Sequence, residues 1–151
     1  MSPADIAELI ERDADRLVAA WAESVRADAS IKSDEDLSEG GLANHVPYLV
    51  EEICQVLRSG QHPRVENTRE ARVHAYTRFR QGYRARDLVR ETSLLRAILF
   101  DHVTAALFAD GARRDARPHL EALRTISLYI DEELRYAVSI YTESAQPLKK
   151  T

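Results

Sequence analysis

The sequence places a histidine, two arginines and a glutamate where a helical hairpin would bring them together. His74 and Arg78 are four residues apart and therefore share one face of a helix. Glu91 follows the turn signal at Gly82, and Arg96 lies five residues further on. Because a hairpin brings the end of one helix near the start of the next, Glu91 can face His74 or Arg78. If these groups are buried, an unpaired charge would be costly, so we expect ion pairs among them.

Two interpretations of this polar group stay open. It could sense a ligand, a proton or a partner protein, or it could be a structural clamp that fixes the hairpin. Glu91 is either the buried counter-charge of Arg78 or Arg96, or an exposed carboxylate that is kept for a partner.

The motifs of catalysis and metal binding are missing from the sequence. It contains no glycine-rich phosphate loop and no H-E-x-x-H motif, and no Ser, His and Asp arrangement can be inferred from spacing. The single cysteine, Cys54, lies on an apolar helix face, as is typical of a small core residue. We therefore expect no enzyme, no metal site and no cofactor. A haem-binding gas sensor of globin type is the alternative, with His74 or His102 as the iron ligand.

The charges are unevenly distributed along the 151 residues, whose formal net charge is -4. Residues 1–40 hold 11 acidic and four basic side chains, whereas residues 58–96 hold ten arginines and four acids. We expect these arginines to pair within the chain or to dock a partner protein, because the chain as a whole is acidic. Nucleic-acid binding is not expected.

The hydrophobic spacing is helical throughout, and no stretch alternates with a period of two. It predicts an all-α fold, a single bundle of about five long helices over residues 3–25, 42–58, 65–81, 85–108 and 118–144. We expect one domain over residues 1–151 with a frayed tail from about residue 145. No apolar run is long enough to span a membrane and no signal peptide is recognisable, so we expect a cytoplasmic protein.

The fifth predicted helix carries apolar and aromatic residues outside its main stripe. These are Leu128, Tyr129, Tyr136 and Ile140. A helix that is apolar on two sides needs two burial partners, and a second copy of the chain could be one of them. The sequence therefore predicts a homodimer through these residues, unless the tyrosines simply lie at the surface.

The hairpin also carries a family resemblance. His74-Ala-Tyr-Thr-Arg78, Gln81-Gly82-Tyr83, Asp87-Leu88-Val89-Arg90-Glu91 and Leu94-Leu95-Arg96 follow each other at fixed spacing. This pattern resembles the RsbRD-type N-terminal sensor domain, which stands at the front of stressosome RsbR-like proteins and of many bacterial histidine kinases. The resemblance covers roughly residues 10–142.

The resemblance implies a globin-like, all-helical input domain without bound haem, dimeric, whose last helix leads to an output module. The implied partner is a downstream kinase or a stressosome-type protein. The residues implied for ligand binding or signalling are His74, Arg78, Gly82, Tyr83, Glu91 and Arg96. A protein-docking adaptor without a sensing role is a further alternative.

Overall fold

The computed structural model describes residues 1–109 and 115–145, and this part of the chain is helical without a strand. Its α-helices are α1 (Pro3–Arg12), α2 (Ala14–Ala27), α3 (Glu39–Ala43), α4 (Val46–Ser59), α5 (Arg69–Arg80), α6 (Ala85–Phe108) and α7 (Arg117–Ala145), with a 3-10 turn at Val65–Asn67. The predicted all-α fold is confirmed, and the number of helices is close to that of a globin-like bundle. The predicted fraying after about residue 145 lies outside the described residues.

The predicted first helix is divided in two at Asp13. The backbone of Asp13 (φ -105°, ψ 11°) leaves the helical region, and its carboxylate lies 3.3 Å from the guanidinium of Arg16. The helix α1 packs mainly on α4, whereas α2 packs mainly on α6. A straight helix could not follow both surfaces, so tertiary packing overrides the continuous apolar pattern.

Two other helices begin later than their patterns predict. The helix α4 starts at Val46 rather than at residue 42, because residues 39–43 form the separate short helix α3. Likewise, α5 starts at Arg69, after the 3-10 turn. The boundaries predicted for α6 and α7 agree with the structure to within one residue.

The core joins α1, α2, α4, α6 and α7, and its largest side chain is Trp21. The indole of Trp21 is fully buried, and its Nε1 donates a 3.0 Å hydrogen bond to the backbone carbonyl of Glu91. A buried indole N–H needs such a partner. This bond ties α2 to the segment of α6 that carries Glu91.

The turn between α5 and α6 depends on Gly82, whose φ of 81° favours glycine. The amide of Tyr83 donates to the carbonyl of Arg78 (3.0 Å), and that of Gly82 donates to Phe79 (3.1 Å). These two bonds form a Schellman motif, which satisfies the last carbonyls of α5. The turn fixes the angle at which α6 leaves α5, and it buries Tyr83.

Asp87, in the first turn of α6, holds the loop that follows α2. Its carboxylate accepts hydrogen bonds from the amides of Lys32 (3.2 Å) and Ser33 (3.1 Å) and from the Ser33 hydroxyl (2.6 Å). Arg84 donates two more bonds to the same carboxylate. Burial opposes the charge of Asp87, but these donors outweigh it and keep its pKa below the ordinary value.

Acidic side chains of residues 1–40 form ion pairs with arginines of residues 58–96. Pairing within the chain was one of the two roles that the sequence predicts for these arginines. Arg58 binds Glu11 through two hydrogen bonds, and Nε of Arg90 donates to Asp28 at 2.7 Å. Both pairs are partly exposed, so solvent screens them and they contribute little to stability. Among the described helices, none is both long and apolar enough to cross a bilayer.

Candidate functional site

Four ionisable side chains meet in the interior where α5, α6 and α7 pack together. They are His74 and Arg78 of α5, Glu91 of α6 and Glu133 of α7, and each side chain is at most 2% exposed. Nδ1 of His74 donates to Oε2 of Glu133 at 2.6 Å, and its Nε2 lies 3.2 Å from Oε1 of Glu91. Nε of Arg78 donates to the same Glu91 oxygen at 2.8 Å. We call these four residues the buried charge cluster.

Arg78 extends the cluster toward α3. Its guanidinium donates to the side-chain oxygen of Gln81 (2.8 Å) and to the backbone carbonyls of Gly41 (3.2 Å) and Leu42. The ring of Tyr83 lies 4.9 Å from the guanidinium carbon, in a cation–π contact. Arg78 therefore has a partner on every side, as a buried cation requires.

The cluster contains two cations and two anions. Burial by itself would lower the pKa of His74, but the carboxylates of Glu133 and Glu91 outweigh it and raise that pKa to about 9. Burial would raise the pKa of Glu91, yet His74 and Arg78 keep it below its ordinary value. His74 is therefore an imidazolium at neutral pH, and the cluster has no net charge.

Hydrogen bonding in the cluster is incomplete. Nε2 of His74, the hydroxyl of Tyr83, Oε2 of Glu91 and Oε1 of Glu133 are buried, and none of these four atoms makes a hydrogen bond of standard geometry in the described part of the chain. Burial raises the pKa of Tyr83, which stays a neutral hydroxyl. Each unsatisfied buried group costs about 1–3 kcal/mol.

Further hydrogen bonds link the surroundings of the cluster to α4 and to the end of α7. The hydroxyl of Tyr141 donates to the carbonyl of Tyr83 at 2.7 Å, and its ring makes an edge contact with Phe79. Tyr129 donates to a carboxylate oxygen of Glu52 at 2.6 Å. The C-terminal half of α7 is thus fixed at Glu133 and again at Tyr141.

The structure brings most of the predicted site residues together. His74, Arg78 and Glu91 are in contact, Gly82 makes the turn and Tyr83 lies on Arg78. The expected ion pair of Glu91 is with Arg78. Arg96 stands apart: it is half-buried and has no polar contact in the described residues.

The sequence prediction missed Glu133. The signal was its place on α7, in step with the buried residues Ile126, Ile130 and Ala137. A carboxylate on a buried stripe needs a cation from another helix. His74 is 59 residues away along the chain, so spacing alone could not identify it as that partner.

The four residues predicted for a dimer contact do not share one environment. Tyr129 is fully buried and bonded to Glu52, so it belongs to the chain's own core and is not accessible to a second copy. Leu128, Tyr136 and Ile140 are half-buried. Tyr136 packs against the small core around Tyr83.

The two histidines considered as haem ligands have polar neighbours. His74 lies between two carboxylates, and Nε2 of His102 is 3.2 Å from a carboxylate oxygen of Asp13 and 3.3 Å from the carbonyl of Leu9. An axial ligand needs an imidazole directed into an apolar cavity. These residues therefore do not fit the haem alternative. The described residues also hold no group of three or more His, Cys, Asp or Glu arranged to bind a metal ion.

Comparison with known proteins identifies the family. The model of the RsbT co-antagonist protein rsbRD N-terminal domain matches residues 15–148. Since this match covers most of the chain, the chain belongs to that family, a regulatory family of stressosome-related signal transduction. No curated protein and no solved structure matches the chain.

The first prediction concerns the charge balance of the cluster. Replacement Glu91→Gln leaves His74 and Arg78 with one carboxylate between them, and breaking a buried ion pair costs about 3–5 kcal/mol. The melting temperature should fall by about 10 °C in a domain of this size. The control Glu121→Gln, at an exposed site on α7, should change it little. An unchanged melting temperature for Glu91→Gln would contradict the assigned ion pairs.

The second prediction concerns the pH dependence of stability. The folded-state pKa of His74 is about 9, above its unfolded value of 6.5, so its stabilisation is complete below pH 6.5 and is lost as pH rises through 9. The loss should amount to about 3 kcal/mol at most. The contribution of Glu91 has the opposite sign: it is present above pH 4.5 and is lost as pH falls through the lowered folded-state pKa.

Urea unfolding between pH 6 and pH 9.5 measures the His74 contribution. The variant His74→Gln should be less stable than the wild type and should lose the alkaline decline. An equal decline in both proteins would show that another group titrates.

Proposed function

We propose that this RsbRD-type N-terminal domain is a cytoplasmic signal-input domain that responds through its buried charge cluster. A signal that changes the protonation or the hydrogen bonding of the cluster shifts the packing of α7 against α5 and α6. The helix α7 relays this shift to a downstream output module or to a partner protein, a kinase or a stressosome-type protein. The observation that carries the proposal is the 2.6 Å bond between His74 of α5 and Glu133 of α7.

The energetics of Glu133 support a two-state response. While His74 is charged, the carboxylate of Glu133 is compensated inside the core. If His74 loses its proton or turns away, the carboxylate is left buried and unpaired, which costs several kcal/mol. A change in the position of α7 that exposes Glu133 to water then becomes favourable. A signal can shift the equilibrium only by its different affinity for the two arrangements.

The family supports a regulatory role rather than a catalytic one, since its description is that of a co-antagonist. The cluster itself suits this role, because its four side chains are closed off from solvent and include no nucleophile with an adjacent base. An input domain needs a group that changes state, and the cluster provides one without a bound cofactor.

The third prediction tests the relay by hydrogen exchange. In His74→Gln, the amides of α7 after Glu133 should exchange faster, while those of α1 and α4 should stay close to the wild type. The matched control is His102→Gln, which removes a histidine bonded to Leu9 and Asp13 and should affect the α1–α2 junction instead. A uniform increase over all helices in His74→Gln would mean general destabilisation and would contradict the relay.

We further propose that the domain works as a homodimer and that the two copies contact each other through the side of α7 that carries Val138. Val138 is 63% exposed, Leu128 is half-buried, and a shallow depression is lined by Leu134 and Val138 together with Asp131 and Arg135. An exposed apolar side chain beside partly exposed ones on the same helix suits an association surface.

The fourth prediction concerns this dimer. Light scattering should give twice the chain mass for the wild type and the monomer mass for Val138→Arg, because the charge would be buried in the interface. Val89→Arg, at a 48% exposed site on α6, is the control and should stay dimeric. A monomeric wild type would contradict the proposed dimer. The relay through α7 has a separate test, which is the hydrogen-exchange measurement on His74→Gln.

A further inference from the structure

The structure separates the ten arginines of residues 58–96 into two groups. Six of them bind a carboxylate: Arg58, Arg64, Arg69, Arg78, Arg84 and Arg90. Arg72 donates only to neutral oxygens of Val65 and Thr68, and Arg80, Arg86 and Arg96 have no polar partner in the described residues. Within the described residues, four of these positive charges therefore have no carboxylate partner.

Two of these four arginines flank an exposed aromatic ring on α5. Arg72, Tyr76 and Arg80 follow each other at steps of four residues and therefore form one ridge along the helix. Tyr76 is 48% exposed, and Arg80 is exposed as well. This ridge lies on the side of α5 opposite His74 and Arg78. We call it the Arg72–Tyr76–Arg80 ridge.

A groove runs beside the ridge, between α5 and α7. It has a volume of about 210 Å³ and is lined by Val65, Arg72, Glu132, Arg135, Tyr136 and Ser139. The one carboxylate of this lining, that of Glu132, lies 3.1 Å from the guanidinium of Arg135. Val65 is 62% exposed. The surface therefore combines apolar and aromatic area with uncompensated positive charge.

We propose that the ridge and this groove bind an acidic helical segment of another protein. Arg72 and Arg80 are eight residues apart, about 12 Å along the helix axis. They would each pair with one carboxylate of the bound helix, while Tyr76 packs on an apolar side chain between the two carboxylates. Tyrosine and arginine are the residue types enriched in binding interfaces, and charge complementarity selects an acidic partner.

Other occupants fit the surface less well. A second copy that docked through its own ridge, parallel or antiparallel, would bring its arginines close to those of the first copy. Only an acidic surface elsewhere on that copy would avoid this repulsion. A nucleic acid fits less well because the ridge offers two arginines about 12 Å apart rather than a continuous row of cations along a phosphate backbone. Both occupants can be recognised in the test.

This inference goes beyond the proposed input function and does not depend on it. Among the described residues, the ridge makes no hydrogen bond or ion pair with the buried charge cluster, and the binding test does not require a change in α7. A failure of one proposal therefore leaves the other standing.

The fifth prediction is a binding measurement with a synthetic probe. The probe is a dye-labelled, alanine-rich helical peptide of about 16 residues, with two Glu residues eight apart and a Leu midway between them. The matched peptide has Gln at both Glu positions. Fluorescence anisotropy at low salt should show binding of the acidic peptide by the wild type, with at least about tenfold weaker binding of the Gln peptide.

Variants locate the site. Arg80→Gln and Tyr76→Ser should each weaken binding of the acidic peptide several-fold, and both should fold normally because neither side chain makes a hydrogen bond in the described chain. Arg16→Gln is the control, since Arg16 is a 70% exposed arginine on α2. Binding of the acidic peptide should be unchanged in this variant.

Several results would overturn the proposal. One is a wild type that does not bind the acidic peptide, and another is equal binding of the two peptides. A loss in Arg16→Gln as large as that in Arg80→Gln would move the site elsewhere. Tighter binding of a single-stranded oligothymidine than of the peptide would assign the surface to nucleic acid. Self-association of the chain that Arg80→Gln abolishes, without peptide binding, would assign it to a second copy.

Discussion

Burying two carboxylates in one core is the constraint on which the rest of this fold depends. Glu91 and Glu133 are both fully buried, and neither could stay ionised there without a cation in contact. His74 and Arg78 supply that charge from a single helix, one turn apart. The positions of α5, α6 and α7 are therefore set by ion pairs as well as by apolar packing. The Schellman turn at Gly82 and the indole bond of Trp21 keep α6 where Glu91 can reach both cations.

The local part of this arrangement could be predicted from the sequence, but its long-range part could not. The spacing of His74, Arg78, Gly82 and Glu91 predicts a hairpin with facing charges, because neighbouring helices joined by a short turn must pack side by side. Glu133 was missed because its partner is on another helix and only the fold brings the two together. The break at Asp13 was missed for a similar reason, since α1 and α2 follow different packing surfaces.

Two residues show how a sequence pattern can mislead about the direction of a side chain. Tyr129 lies outside the main predicted stripe and is expected at an interface, yet it is buried in the chain's own core, where its hydroxyl donates a hydrogen bond to Glu52 of α4. The sequence motif places Arg96 with the cluster. In the structure Arg96 lies further along α6 and makes no polar contact with Glu91. In both cases the residue type was informative, whereas the direction of the side chain required the structure.

The helix α5 connects the two proposals made for this member of the RsbRD N-terminal domain family. Its inner face carries the cations of the cluster, and its outer face carries arginines that have no acidic partner in the described part of the chain. Its low apolar content is explained by these two polar faces. A shift of α7 against α5 would alter the groove between them, so a change in the cluster and the binding of an acidic helix would influence each other.

The balance of charge in the cluster depends on the protonation of His74. Nitrogen NMR of the folded chain measures that protonation directly. We predict that both ring nitrogens of His74 carry protons at pH 7.5 and that one proton is lost only near pH 9. A neutral imidazole at pH 7.5, with one bare ring nitrogen, would mean that the cluster carries a net negative charge or holds its proton on a carboxylate. That result would contradict the balanced ion-pair cluster on which the proposed relay through α7 rests.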